Sequence, residues 1–308
     1  MTSGVHAWYG KGLEARLREV PDKRDEPQID PSPLAAPSRA AAMQTLGGMP
    51  PLSAVAIQMQ RLAEEDTDMR TVANAISADP GLTADVLRLA NSALFGARHA
   101  VPGVLHAIVM LGLDRVRTLV FTAAFMRFAS PAKSEGASKR AWRHSIACAL
   151  IADELSGRAR IDRDTAYTAG ILHDIGRLAM LRLWRAPYSE LLDAAVAGDP
   201  EILTRERETL GVDHAEAGDY LLRRWKLPPE LSTAVKRHHE ETPPPARELA
   251  GVVHSACALA DAIGFVVPGV AAASAPELSP EIQPLFSGTL EDLQFRVATR
   301  MNALEVWL

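Results

Sequence analysis

Gly170-Ile171-Leu172-His173-Asp174-Ile175-Gly176 sets an imidazole and a carboxylate side by side in an otherwise apolar segment. Adjacent His and Asp can offer a nitrogen and an oxygen to one cation, so the doublet raises the question of partners. His144 lies 29 residues upstream of His173, in Trp142-Arg143-His144-Ser145. His214 and the pair His238-His239 follow downstream, and Asp261 closes the series.

Periodicity predicts which way these side chains face. His144, Cys148, Ile151 and Leu155 fall at spacings of 4, 3 and 4, one stripe of a helix with 3.6 residues per turn. After Asp213, which reads as an N-cap, His214, Gly218, Leu221 and Trp225 keep the same kind of spacing. Leu231, Ala234, Val235 and His238 put His238 on an apolar face with His239 at its edge, and Val253, His254, Cys257 and Asp261 share a further stripe. Several histidines and two carboxylates are thus expected to point into one interior.

An inward carboxylate must be neutralised, paired or bound to a cation. Nitrogen and oxygen donors together suit borderline or hard divalent metals. The competing reading is a hydrogen-bonded polar network inside a helical bundle, with His rings donating to carboxylates or helix carbonyls. Cys148 and Cys257 share the same stripes but lack a close Cys-x-x-Cys spacing, and they read as packing residues.

The rest of the chain reads as helical as this segment. From Leu52 onward, apolar residues recur at helical intervals with no sustained alternation of β-branched residues. Leu52, Val55, Ala56, Met59 and Leu62 mark one helix and Val72, Ala75 and Ile76 the next; after the break at Asp79-Pro80-Gly81 another carries Leu82, Val86, Leu89 and Ala90. Helices containing Val104, Ile108 and Leu111, then Val116, Leu119, Val120 and Ala123, complete an N-terminal lobe at 46–130. The low-apolar stretch from Ser130 to Gly136 separates it from a second helical lobe at 131–268 that carries the His and Asp residues. Residues 1–45, rich in proline and charge, read as a mobile arm, and 269–308 as a helical extension whose stripe Leu290, Leu293, Val297, Met301 and Leu304 caps the module or joins a homodimer. The expected fold is all-α, a two-lobed bundle with the smaller lobe first.

Composition sets outer bounds. The 308 residues are 47% hydrophobic and 23% charged with a net charge of −5, which gives no electrostatic reason to expect a nucleic-acid partner. Two cysteines make no disulfide framework, and no basic-then-apolar leader is evident, so a cytoplasmic protein is expected. Ala250 to Ala275 is apolar but carries His254, Asp261 and Pro268, and it reads as a buried helix, not a membrane span.

Separated motifs now agree in order and spacing with one family. Ile76-Ser77-Ala78-Asp79-Pro80-Gly81-Leu82-Thr83, Leu87-Arg88-Leu89-Ala90-Asn91-Ser92-Ala93 and Ala107-Ile108-Val109-Met110-Leu111-Gly112-Leu113 resemble the N-terminal half of the HDOD family, a branch of the HD superfamily. Trp142-Arg143-His144-Ser145, the Gly170–Gly176 segment, Trp225-Lys226-Leu227-Pro228 and His238-His239 resemble its second half. The resemblance spans roughly residues 46 to 265.

It implies an all-α output module of bacterial signal transduction that acts through protein contacts without hydrolysis. Enzymatic relatives are metal-dependent phosphohydrolases and cyclic-dinucleotide phosphodiesterases. Their pattern carries over to His144, His173, Asp174 and Asp261 as ligands of a divalent transition metal, with His214, His238 and His239 for a second ion, drawn from the Fe, Mn, Ni or Mg class. Asp174 would then be the residue on which hydrolysis depends. The cyclic-di-GMP branch follows its histidine pair with Gly-Tyr-Pro, whereas Glu240-Glu241-Thr242-Pro243 stands here, which argues against that activity. Arg177, three residues after the doublet, reads as solvent-facing. The two readings are therefore a regulatory module with a protein partner and a phosphohydrolase acting on a nucleotide or other phosphoester.

Overall fold

Asp side chains start the helices at the sequence breaks. Asp68 caps the helix that starts at Met69, Asp79 accepts from Leu82 N (2.9 Å) in the helix opened by Pro80, Asp162 caps the helix from Arg163, and Asp213 accepts from Glu216 N (2.7 Å) at the start of the helix from His214. Each occupies an orphan N–H of the first turn. The computed structural model describes residues 37–64, 68–92, 100–129, 136–196, 199, 201–269, 282, 285, 286 and 288–305. Among them every regular element but a single bridge at Val196 is a helix or a turn.

The helices are α1 (Arg39–Gly47), α2 (Ala54–Glu64), α3 (Met69–Ser77), α4 (Pro80–Ala90), α5 (Val104–Leu111) and α6 (Leu113–Ala129). They continue as α7 (Ala137–Ala159), α8 (Arg163–Leu172), α9 (Ile175–Leu183), α10 (Arg185–Ala194) and α11 (Ile202–Leu210). α12 (His214–Arg224), α13 (Pro229–Arg237), α14 (Leu249–Ala262) and α15 (Leu290–Glu305) complete the series. No described helix is long and apolar enough to cross a membrane.

Helices α2–α6 pack on one another as the first lobe, and α6 continues into the second by packing on α8. Asn91 closes off α4 while its side chain pairs with both backbone groups of Val101, at 2.7 and 3.0 Å, fixing the entry to α5. The second lobe is organised around α7, which touches α8, α9, α10, α14 and α15. The stripe His144, Cys148, Ile151 and Leu155 on α7 is buried throughout, as its spacing predicts.

Helix α1 runs through the segment read from composition as arm, and the correction has a simple cause. Ala42 and Leu46 are fully buried, and α1 packs on α9, α11 and α12 of the second lobe, with Arg39 donating to Glu216 at 2.6 Å. Residues 1–36 of the expected arm and residues 130–135 of the expected linker lie outside the described residues. Helix α15 buries Leu293, Val297 and Met301 and packs on α7, where Arg300 donates to Asp153 at 3.0 Å and Arg296 to Glu154 at 2.9 Å. Leu304, the last position of that predicted stripe, has a side chain outside the described ones.

Candidate metal centre

The His-Asp doublet lies at a helix junction. His173 ends α8 and Asp174 precedes α9, yet the Asp174 side chain makes no capping bond to the new helix. Its carboxylate is turned inward and buried instead. Close helix packing brings the neighbouring elements in. A Cβ on Gly176 would overlap the carbonyl of His214 and come within 2.7 Å of Gly218 N, so these two glycines let α9 and α12 approach until His214 faces Asp174. Gly170 likewise lets α8 approach the backbone of Cys148 and Ala149, at 2.9 and 2.8 Å from its notional Cβ.

Imidazoles from four elements meet around this carboxylate. Ring centroids of His144 and His173 are 5.2 Å apart, His173 and His238 5.0 Å, His214 and His238 5.3 Å, and His238 and His239 4.2 Å. Asp174 Oδ1 lies 3.4 Å from His214 Nε2 and 3.5 Å from His238 Nε2, and Oδ2 lies 3.7 Å from His173 Nε2 and 4.0 Å from His144 Nε2.

Hydrogen bonding fixes how the rings present themselves. Nδ1 of His144, His173 and His238 lies 2.5, 2.7 and 2.5 Å from the carbonyls of Phe265, Gly170 and Val235, and Nδ1 of His214 lies 2.6 Å from Glu206 Oε2. Those oxygens only accept, so each Nδ1 donates, and wherever the ring is neutral it turns a bare Nε2 lone pair inward. Nε2 of His173, His214 and His238 and Oδ1 of Asp174 have no hydrogen-bond partner although fully buried. Converging lone pairs without a donor are costly, and a cation relieves them. These residues therefore fit a divalent metal, which would supply Lewis-acid polarisation or structural cross-linking when bound.

Two ligand-capable groups of four result among the described residues. Asp174, His214, His238 and His239 form one, and His144, Cys148, His173 and Cys257 the other, each with its donor atoms within 4.8 Å of one another. Six of the seven residues expected from sequence are thus gathered. Asp261 is partly exposed and stands 3.4 Å from Nδ1 of His144, on the far side of the ring from Nε2. The thiols of Cys148 and Cys257, read as packing, each lie 3.4 Å from His144 Nε2.

Arg177 corrects the expectation of a solvent-facing residue. It is buried, with Nε 2.9 Å from Asp174 Oδ2, Nη1 3.2 Å from Glu206 Oε1 and Nη2 3.4 Å from His239 Nε2. Glu206, which the motif reading missed, is fully buried and accepts as well from Tyr188 Oη (2.7 Å) and His214 N (2.9 Å). Its detectable signal is the spacing Ile202, Glu206 and Leu210 on α11, all buried.

Electrostatics follow from these contacts. Burial opposes the charge of Asp174, but Arg177, His173, His238 and His214 hold its carboxyl well below the usual range. Burial likewise opposes ionisation of Glu206, and His214 and Arg177 outweigh it and lower the pKa. Burial and Arg177 lower His214, and burial with His238 and His214 holds His239 far below an ordinary imidazole. His144 differs: burial pulls it down, but Cys257 and Asp261 raise it to about 10, while burial lifts Asp261 to about 7 against the pull of His144.

The depressed carboxylates give a pH prediction for the metal-free protein. Below about pH 4.5 the unfolded chain takes up protons that folded Asp174 and Glu206 refuse, so stability falls as pH falls toward their folded pKa values. Urea midpoints measured from pH 6 to pH 3 should drop steadily, and Glu206→Gln should flatten that limb.

A cavity of about 280 Å³ opens onto the centre, lined among others by His144, Arg177, His238, His239 and Cys257. Its described wall also carries Asp199, Glu241 and Asp261, and Arg177 is the only Arg or Lys in that lining.

Known proteins share this arrangement of helices. A protein from Shewanella amazonensis SB2B, named provisionally as a phosphohydrolase, is 28% identical with a TM-score of 0.63, covering 85% of this chain and 95% of that one. An HDOD domain protein from Geobacter sulfurreducens, 20% identical with a TM-score of 0.64, shares the fold over 87% of this chain and 94% of its own. A Treponema pallidum (strain Nichols) protein is 26% identical over 232 residues, 72% of this chain and 43% of that protein, so the chain spans less than half the length of this curated relative. The HDOD domain model matches residues 49–241, well over half of the sequence, and the chain belongs to the HDOD domain family.

Proposed function

We propose that this chain is a signal-transduction output module that acts through protein contacts, with its His/Asp centre serving structure and not hydrolysis. The observation that carries this reading is the placement of Arg177. A phosphohydrolase needs a cationic wall to receive the phosphate. Here Arg177 is held by Asp174 Oδ2 and Glu206, and it is the only Arg or Lys in the described lining of the cavity, which also carries Asp199, Glu241 and Asp261. A phosphoester would meet the carboxylate of Glu241 on approach, with no free Arg or Lys of the described lining to offset it.

Helix α5 supplies a candidate contact surface. It buries Val104, Ala107 and Ile108, but apart from the exposed His106 its opposite face is also apolar, with Leu105 37%, Val109 67% and Met110 49% exposed. A surface helix ordinarily turns polar residues outward, and an apolar outer face is favoured where a partner covers it. Proximity labelling in cells with wild type and with Val109→Asp should show proteins enriched by the wild type and lost from the variant, with the variant folded. Identical labelling profiles would contradict the assignment of this face.

The second reading is a metal-dependent phosphohydrolase. It is favoured by the unpartnered Nε2 atoms around Asp174 and by likeness to the Shewanella protein of that provisional name. Metal-dependent turnover by the purified chain would decide for it.

A further inference from the structure

Cys148 and Cys257 stand outside the His and Asp pattern that the family resemblance supplies, and nothing in the signalling reading uses them. We propose that His144, Cys148, His173 and Cys257 form a zinc site, with Asp174 Oδ2, 3.7 Å from His173 Nε2 and 4.0 Å from His144 Nε2, at its border with the His214, His238 and His239 group. The four side chains come from α7, the end of α8 and α14, and all four are buried. His144 and Cys148 sit one turn apart on α7 and face the same way.

The donor separations are ones that a tetrahedral set allows. With Zn–S about 2.3 Å and Zn–N about 2.0–2.1 Å, tetrahedral angles put a sulfur about 3.6 Å from a nitrogen. Both thiols lie 3.4 Å from His144 Nε2, and all four donor atoms fall within 4.8 Å of one another. The two rings are already oriented, since Nδ1 of each donates to a carbonyl, Phe265 for His144 and Gly170 for His173. Nε2 of His173 is buried without a partner, which a metal would supply.

Ligand chemistry selects the ion. Two thiolates with two imidazoles suit zinc and disfavour magnesium or manganese, which prefer oxygen. Four protein ligands leave no open position, which marks a structural site, not a catalytic one. The site would cross-link α7, α8 and α14 behind the Asp174 group. A sulfur-to-metal band reads the cysteines directly, so it tests this site separately from the signalling reading.

The test uses the full chain purified under reductant. Elemental analysis should find zinc, and cobalt substitution should give a sulfur-to-cobalt charge-transfer band with the intense visible bands of a tetrahedral centre. Cys148→Ser and Cys257→Ser should each cut the charge-transfer intensity to about half. Should either variant fail to fold, the wild-type spectrum still decides. Chelation of the wild type should lower Tm by about 10 °C. A cobalt spectrum without a sulfur band, or a chain that takes up no metal, would overturn the proposal.

Discussion

Glu206→Ala is expected to destabilise the fold by about 4 kcal/mol. The residue is fully buried, and one carboxylate accepts from Arg177 Nη1, Tyr188 Oη, His214 N and His214 Nδ1. Alanine leaves four donors without an acceptor and strands a buried guanidinium whose only other carboxylate among the described residues is Asp174. Each orphaned buried group costs about 1–3 kcal/mol, and a broken buried ion pair about 3–5 kcal/mol, with water entry recovering part. Glu206→Gln keeps one accepting oxygen and should lose less. Urea unfolding of both variants beside wild type checks the order, and equal losses would mean that the charge of Glu206 contributes nothing.

Gly176→Ala is expected to cost about 3 kcal/mol and to disturb the centre besides. The new Cβ would overlap the His214 carbonyl and lie 2.7 Å from Gly218 N, and both are backbone atoms that no rotamer change can move. Helix α9 must then separate from α12, carrying His214 away from Asp174. The same substitution at Gly157, where a Cβ meets nothing within 4 Å, should be neutral or slightly stabilising. Thermal melts of the two variants, with metal content measured on each, check this pair. Equal melting temperatures would contradict the close crossing of α9 and α12.

Much of the centre is legible in the sequence because a helix declares its buried face. His144, His214 and His238 each recur with apolar residues at spacings of 3 and 4, and each is buried on the predicted stripe. His239, expected at the edge, is partly buried there. Glu206 is harder to see, since Arg205-Glu206-Arg207-Glu208 has the composition of a solvated face and only the apolar residues four positions to either side mark it. Arg177 is buried because Asp174 and Glu206 pair with it, and Glu206 lies on a different helix that no local pattern connects to the doublet. Cys148 and Cys257 are far apart in sequence and meet only through the packing of α14 on α7. Asp261 shares the Cys257 stripe one turn further on, and that extra turn carries it past the ring of His144 to its Nδ1 side. Helix α1 is hidden by averaging, as a short Ala-rich turn at the end of a proline-rich stretch.

A regulatory module and an enzyme differ in whether the Asp174 centre performs chemistry. The most direct measurement is phosphoester hydrolysis by the purified full chain, loaded in turn with zinc, manganese, iron, nickel and magnesium. A panel of nucleotides, cyclic dinucleotides and simple aryl phosphates should be assayed beside Asp174→Asn. The account predicts that the metal-loaded wild type turns over no substrate faster than the variant. Metal-dependent turnover in the wild type, abolished in a folded Asp174→Asn protein, would contradict it.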